Sequence, residues 1–152
     1  MYGLQPYQMA GAWEVKTIRM KASTTITKFD PVHLEFDATG DLDNVDLAAA
    51  TETIYGVAFE TKTSTASGGE TMQILVGQDI VYKVDNDQDT NTFGDDRGTG
   101  MYFDIIGSTG AVQADTSSGS ATTAAQIKCI ASDNVEIGDT SIGLFKIHES
   151  QY

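Results

Sequence analysis

The feature that most constrains the fold of this 152-residue chain is a series of extended segments separated by glycine-containing turns, which occurs twice. Residues 30–76 read as DPVHLEF, the turn ATGDL, IYGVAFE and then GGETMQILV, and residues 100–147 follow a looser version of that order. Gly40 and Gly110 are 70 residues apart, and Gly69 and Gly138 are 69 apart. Such near-constant offsets predict a pseudo-repeat, 30–76 and 100–147, built from two related β-modules.

Local patterning assigns nearly all of the chain to strands. The segment VHLEF alternates, with Val32, Leu34 and Phe36 on one side, which is the period of a half-buried strand. Extended runs recur about every 8–12 residues between turns rich in Gly and Asp, which favours a small β-barrel or sandwich. We therefore predict an all-β fold, with one β domain over 13–152. Residues 1–12 show neither the two-residue period of a strand nor the 3.6-residue period of a helix. We therefore predict that they form an irregular N-terminal arm.

Composition limits where such a chain folds and what surrounds it. The mean hydropathy is −0.20, and no apolar run reaches the ~20 residues that span a bilayer. The first residues lack the basic and apolar regions of a signal peptide, so we expect the chain to fold in the cytoplasm and to have no membrane partner. The single cysteine, Cys129, lies in the alternating run AAQIKCIAS and predicts a buried, inert thiol.

Charge is unevenly distributed along the chain. The net charge is −13, which argues against a nucleic-acid partner because phosphate binding needs clustered Lys and Arg. Before Asp30, however, four basic residues stand against one acidic residue, Glu14. This basic segment could lie on the chain's own acidic surface, on a neighbouring subunit or on another protein, or it could be an edge strand kept soluble by lysine.

Residues able to carry chemistry do not form a recognisable catalytic pattern. The chain has two histidines, His33 and His148, and we expect both on strand surfaces rather than in a metal centre, which needs three or four converging ligands. Hydrolase and nucleotide-binding motifs are absent. We therefore predict a non-enzymatic protein with no catalytic residues, no cofactor and no metal.

One acidic loop supplies an alternative to the metal-free prediction. Acidic residues at places 1, 3, 5 and 12 of a segment suit a calcium loop, and here they are Asp85, Asp87, Asp89 and Asp96. Place 6 is Thr90 rather than glycine, and strands rather than helices flank the segment. We therefore expect a solvated hairpin loop, with calcium binding as the alternative.

The first module resembles the small capsid decoration, or cement, proteins of tailed bacteriophages. The resemblance rests on FDPV, on GDL and IYGVA, and on the strand GETMQILV that follows, and it covers residues 28–84. It implies a structural virion protein on the outer surface of an assembled capsid. Such proteins are commonly homotrimers at three-fold positions and stabilise the shell by bridging major capsid subunits.

On this interpretation, the arm and the first strand dock to the major capsid protein. Rigid apolar side chains dominate interfaces, and nearby basic side chains would add complementary charge. The candidate docking residues are Tyr2, Pro6, Tyr7, Trp13, Lys16, Arg19 and Lys21.

Aromatic residues outside the arm support a second interpretation. A carbohydrate- or cell-surface-binding β-domain of a fibre or adhesin would use exposed aromatic rings for sugar stacking. The candidate rings are Tyr55, Tyr82 and Tyr102.

Overall fold

The computed structural model describes residues 2–36, 42–87, 99–131 and 142–148, and the predicted all-β fold is confirmed. Within these residues the helical element is a single 3₁₀ turn, Thr116–Ser118. The strands, in chain order, are β1 Gln5–Met9, β2 Trp13–Met20, β3 Thr25–Ile26, β4 Pro31–Phe36, β5 Leu42–Leu47, β6 Gly56–Ala58, β7 Lys62–Thr63, β8 Thr71–Gly77, β9 Ile80–Asp85, β10 Tyr102–Phe103, β11 Ile105–Ile106, β12 Gln113–Ala114, β13 Ile127–Ala131 and β14 Ile142–Ile147.

The first half of the chain forms a closed five-stranded barrel in the order β2-β5-β4-β6-β8. β2 pairs antiparallel with β8, and its last two residues pair in parallel with β5, which closes the barrel. Met72, Ile74 and Val76 of β8 point into the barrel and are fully buried. Gly56 allows β6 to approach β8, because a Cβ there would lie 2.5 Å from the carbonyl oxygen of Leu75.

The second half supplies four strands of a five-stranded sheet, ordered β1-β9-β14-β13-β10, and the hairpin β11-β12. The fifth strand of the sheet is the N-terminal β1, and we count it with the second half below. The pairings of the second half follow the order seen in the barrel. β11-β12 corresponds to β4-β5, β10-β13 to β4-β6, β13-β14 to β6-β8, and β9-β14 to β2-β8. Even the parallel closure has a counterpart, a single bridge between Asn86 and Ala114. Descent of the two halves from one module stays a prediction.

The two halves share one hydrophobic core. Leu75 faces out of the barrel and joins a buried cluster with Tyr82, Phe103 and Phe145 of the second half. Two buried polar side chains connect the halves. The carboxylate of Asp30 accepts hydrogen bonds from the second half, and Gln126 accepts one from the amide of Ile105 at 2.9 Å and donates to the carbonyl oxygen of Ala49 at 2.9 Å.

The N-terminal segment differs from the prediction of an irregular arm. Residues Gln5–Met9 form β1, an edge strand paired antiparallel with β9. Leu4, just before it, is fully buried and donates its amide to the carbonyl oxygen of Phe29 at 2.8 Å. Sequence periodicity missed the strand because Tyr7 and Met9 are exposed, so backbone pairing rather than burial of alternate side chains fixes it.

Cys129 gives a chemical test of this core. The thiol is fully buried, and desolvation raises its pKa to about 12. Because the thiolate is the reactive form, we expect labelling by a thiol reagent near neutral pH to be at least about a thousandfold slower in the folded chain than in urea. Equal rates in the two solutions would contradict the buried assignment, and Cys129→Ala supplies the unlabelled baseline.

The same raised pKa also sets the direction of a pH effect. The unfolded thiol ionises near its ordinary value of 9.0, whereas the folded thiol stays protonated to about 12. The unfolded state therefore binds fewer protons in that interval, and the contribution of Cys129 to stability is lost as the pH rises through it.

Candidate functional site

The candidate site is a bent two-stranded ribbon that crosses from one half of the molecule to the other. β1 pairs with β9 in the sheet, and β2 pairs with β8 in the barrel. The two antiparallel segments continue side by side around the bend, one through residues 10–12 and the other through residues 78–79. The ribbon therefore brings residues 5–19 against residues 71–83.

Large apolar side chains lie exposed along β1 and β2, which form one of the two segments of this ribbon. Trp13 is 48% exposed, Tyr7 49%, and Met9 and Val15 40% each. We call these four residues the ribbon patch. Across the ribbon, Met9 pairs with Ile80 on one side of the bend and Trp13 pairs with Gly77 on the other. The four exposed side chains therefore follow one another along the ribbon on both sides of the bend.

Two other predicted docking residues flank the ribbon patch. Tyr2 is 52% exposed and immediately precedes the buried Gly3 and Leu4. Pro6, in β1, is half-buried and pairs with Tyr82 of β9. Because proline has no amide donor, the open edge of β1 is poorly suited to accept a further strand. Docking through the side chains of the ribbon is favoured over strand addition.

The predicted basic residues occupy different environments. Arg19 is exposed at the barrel end of β2. Lys16 lies 3.4 Å from the carboxylate of Glu14 on its own strand. An exposed pair of this kind is worth only about 0–1 kcal/mol. Lys16 is on the same side of β2 as Ile18 and Met20, opposite to Trp13, so it is not aligned with the exposed aromatic residues.

Lys21 belongs instead to an ion-pair cluster of the barrel wall. Its ammonium lies 2.7 Å from Asp46 and 2.9 Å from Glu35. Hydrogen bonds to Asp46 and then to Glu35 raise the pKa of Lys21 above its usual value. The charge is therefore committed within the chain, and we remove Lys21 from the docking surface.

His33 borders the same cluster and is less exposed than predicted. Its side chain is 12% exposed, with Nε2 3.5 Å from Glu35 and 3.3 Å from Glu52. One ligand atom each from His33, Glu35 and Asp46 lies within 4.8 Å of the others. The Lys21 ammonium already pairs with both carboxylates, so we describe the group as an ion-pair cluster. His148, by contrast, is exposed as predicted.

The predicted calcium loop is only partly within the described residues. Asp85 is buried at the end of β9, and Asp87 accepts hydrogen bonds from the amide of Thr116 at 3.2 Å and its hydroxyl at 2.7 Å. Asp89 and Asp96 lie outside the described residues, so calcium binding there stays an untested alternative to the solvated loop.

The tyrosines proposed for sugar stacking do not form an exposed platform. Tyr55 is 7% exposed and Tyr82 is 1% exposed, so both contribute to the core. Tyr102 is half-buried beneath Lys128. This correction removes the aromatic platform on which the carbohydrate interpretation depended.

Scans of protein-family models, curated proteins and solved structures gave no match to this chain. Among the described residues, no helix is long and apolar enough to span a membrane.

Two members of the ribbon patch were missed by the sequence analysis. Met9 is in a segment with neither strand nor helix periodicity. Val15 is in the alternating run WEVKTIRM, and the sequence alone does not show which side of that strand faces solvent. The side is set by the barrel, because Ile18 and Met20 pack with its interior. The odd-numbered residues of β2 then point outward.

Proposed function

We propose that this chain is a structural virion protein that binds the outside of an assembled phage capsid and stabilises it by bridging major capsid subunits. The ribbon patch is the observation that carries the proposal. It consists of Tyr7, Met9, Trp13 and Val15, which are exposed on a ribbon whose two strands pair on both sides of the bend. The family resemblance supplies the identity of the partner.

The physical argument concerns exposed apolar area. Clustered large apolar side chains on a soluble protein commonly mark an interaction site, and Trp and Tyr are the residues that most often dominate interfaces. Holding these side chains on paired strands reduces the entropy lost on binding. Arg19 supplies a positive charge at one end of the ribbon.

Repetition provides the stabilising mechanism. A modest contact becomes strong when one protein engages two or more lattice subunits, because the second contact forms at high effective concentration. A homotrimer at a three-fold position would present three ribbon patches to the lattice. We therefore include a trimeric state in the proposal, and equilibrium sedimentation of the free chain tests that part.

Replacing Trp13 with alanine should weaken capsid binding by about thirtyfold, since loss of a buried interface tryptophan typically costs 2 kcal/mol or more. Cosedimentation with decoration-free capsids of the phage that encodes the chain measures the change. Because Trp13 is half exposed, circular dichroism and the unfolding midpoint should change little.

Ile106→Ala is the matched control for this test. Ile106 is 43% exposed but lies on β11, in the second half of the chain. Its removal should leave capsid binding within about twofold of the original, because surface truncations away from an interface cost little. Equal losses in the two variants, or no binding by the original chain, would refute the docking assignment.

Deletion of residues 1–12 is a poor test of the same proposal. It would remove β1 and the buried Leu4, and truncating a buried leucine to alanine alone costs about 2–5 kcal/mol. The deletion would therefore confuse lost docking with lost folding. Single substitutions in the ribbon patch separate the two effects.

A further inference from the structure

We propose that the outer face of the five-stranded sheet is a second interaction surface, which binds an acidic protein surface. The face carries Lys83, Lys128 and Lys146 on the three inner strands β9, β13 and β14. We call these three residues, with Tyr102, the lysine face. The lysine face adjoins the ribbon patch where Lys83 contacts the Tyr7 ring, but the inference does not depend on the capsid proposal.

Alternation along the strands places these lysines together on one side. Tyr82, Cys129 and Phe145 are buried in the core beneath the sheet, so their neighbours in sequence point away from it. Lys128 pairs directly with Lys146 across β13 and β14, and Tyr102 pairs with Lys128. Tyr102, Lys128 and Lys146 therefore form one row, and Lys83 lies diagonal to Lys146 because it pairs with Leu144.

The concentration of positive charge is unusual for this chain. Only five basic residues follow Asp30, against 21 acidic residues at or after that position. Three of the five lie on the lysine face; the others are Lys62, on β7, and Arg97, which is outside the described residues. A chain of net charge −13 thus presents a locally basic surface.

Folding alone does not account for this arrangement. Like charges directly opposite one another across two strands are destabilising, yet Lys128 and Lys146 occupy such a pair. Lysine on an edge strand can prevent aggregation, but β9, β13 and β14 are all inner strands. A negatively charged partner would turn the repulsion between the lysines into attraction.

The lysine ammonium groups are held in place by weak local contacts. Lys83 lies 4.4 Å from the centre of the Tyr7 ring, and Lys128 lies 5.2 Å from that of Tyr102. Lys146 pairs with the exposed Asp79 at 3.3 Å. Exposed cation–π contacts and ion pairs of this kind are worth about 1 kcal/mol or less. The groups are oriented, but a carboxylate partner can still engage them.

Apolar side chains between the lysines favour a polypeptide over a polyphosphate or a sulfated sugar. Ile130 is 38% exposed on β13, and Leu144 is half-buried opposite Lys83. A protein surface can cover these side chains and pair with the lysines at once. The net negative charge of the chain would also repel a long polyanion.

The test uses a short capped peptide in which glutamate alternates with alanine, added to the full-length chain and followed by NMR. We expect shift changes confined to the lysine face, and a loss of affinity of about tenfold in Lys128→Glu. Lys28→Glu, at an exposed position between β3 and β4, makes the same change in net charge and should leave the affinity within about twofold, since screening weakens distant charges.

Three results would overturn the proposal. They are the absence of binding to the glutamate peptide, equal losses of affinity in Lys128→Glu and Lys28→Glu, and tighter binding of heparin oligosaccharide or oligothymidine than of the peptide. Lys128→Gln, which removes the charge without reversing it, should give an intermediate loss. Since capsid binding is tested through Trp13, failure of either proposal leaves the other standing.

Discussion

A Gly56→Val substitution is expected to lower the free energy of unfolding by about 4 kcal/mol or more, enough to leave little folded protein. The added Cβ would lie 2.5 Å from the carbonyl oxygen of Leu75 and 2.8 Å from side-chain atoms of Ile74 and Val76. The backbone oxygen cannot move without breaking the pairing of β6 with β8. Urea denaturation followed by circular dichroism measures the loss.

Gly69→Asn separates this steric effect from loss of a glycine in general. Gly69 has a φ of +97°, but a Cβ there meets no atom within 4 Å. Asparagine tolerates the left-handed region better than most residues, so we expect a loss of about 1 kcal/mol. Similar losses at positions 56 and 69 would contradict the close approach of β6 and β8.

Asp30→Ala should produce the second large loss of stability, about 3 kcal/mol, because a buried carboxylate that accepts several hydrogen bonds would be removed. Asp30 is 1% exposed. It accepts from the amide of Thr27 at 2.9 Å, the hydroxyl of Thr109 at 2.7 Å and the amide of Gly110 at 3.0 Å. The truncation would therefore loosen the junction between the two halves.

Two milder variants test this explanation of the Asp30 effect. Thr109→Val removes one donor and should cost about 1 kcal/mol. Asp30→Asn keeps an acceptor but loses the charge, and we expect an intermediate effect. A loss below about 1 kcal/mol for Asp30→Ala would mean that water replaces the carboxylate, and that the junction depends on apolar packing instead.

The sequence predicted those features that depend on local chemistry. Turn residues and alternating runs are read over a few positions, so the all-β class followed from them. Burial of Cys129 followed in the same way, from an alternating run. The edge strand β1 was missed because its pairing with β9 joins segments more than 70 residues apart, and local periodicity carries no information about such a partner.

The candidate surfaces show the same limit. Tyr7 and Trp13 could be chosen from the sequence because aromatic residues are concentrated in the N-terminal segment. Convergence of Lys83 with Lys128 and Lys146 requires the order of strands in the sheet. Conversely, Lys21 was chosen as a docking residue because charge counting along the chain does not reveal its pairing with Asp46, 25 residues away.

The ribbon also determines how the molecule carries mechanical load. Both chain connections between the halves, residues 9–13 and 77–80, lie side by side. A force that pulls the sheet away from the barrel would therefore be shared by two covalent connections, and a break in one would leave the halves tethered by the other. If the proposed capsid-stabilising role holds, such redundancy would allow one connection to fail without release of either half.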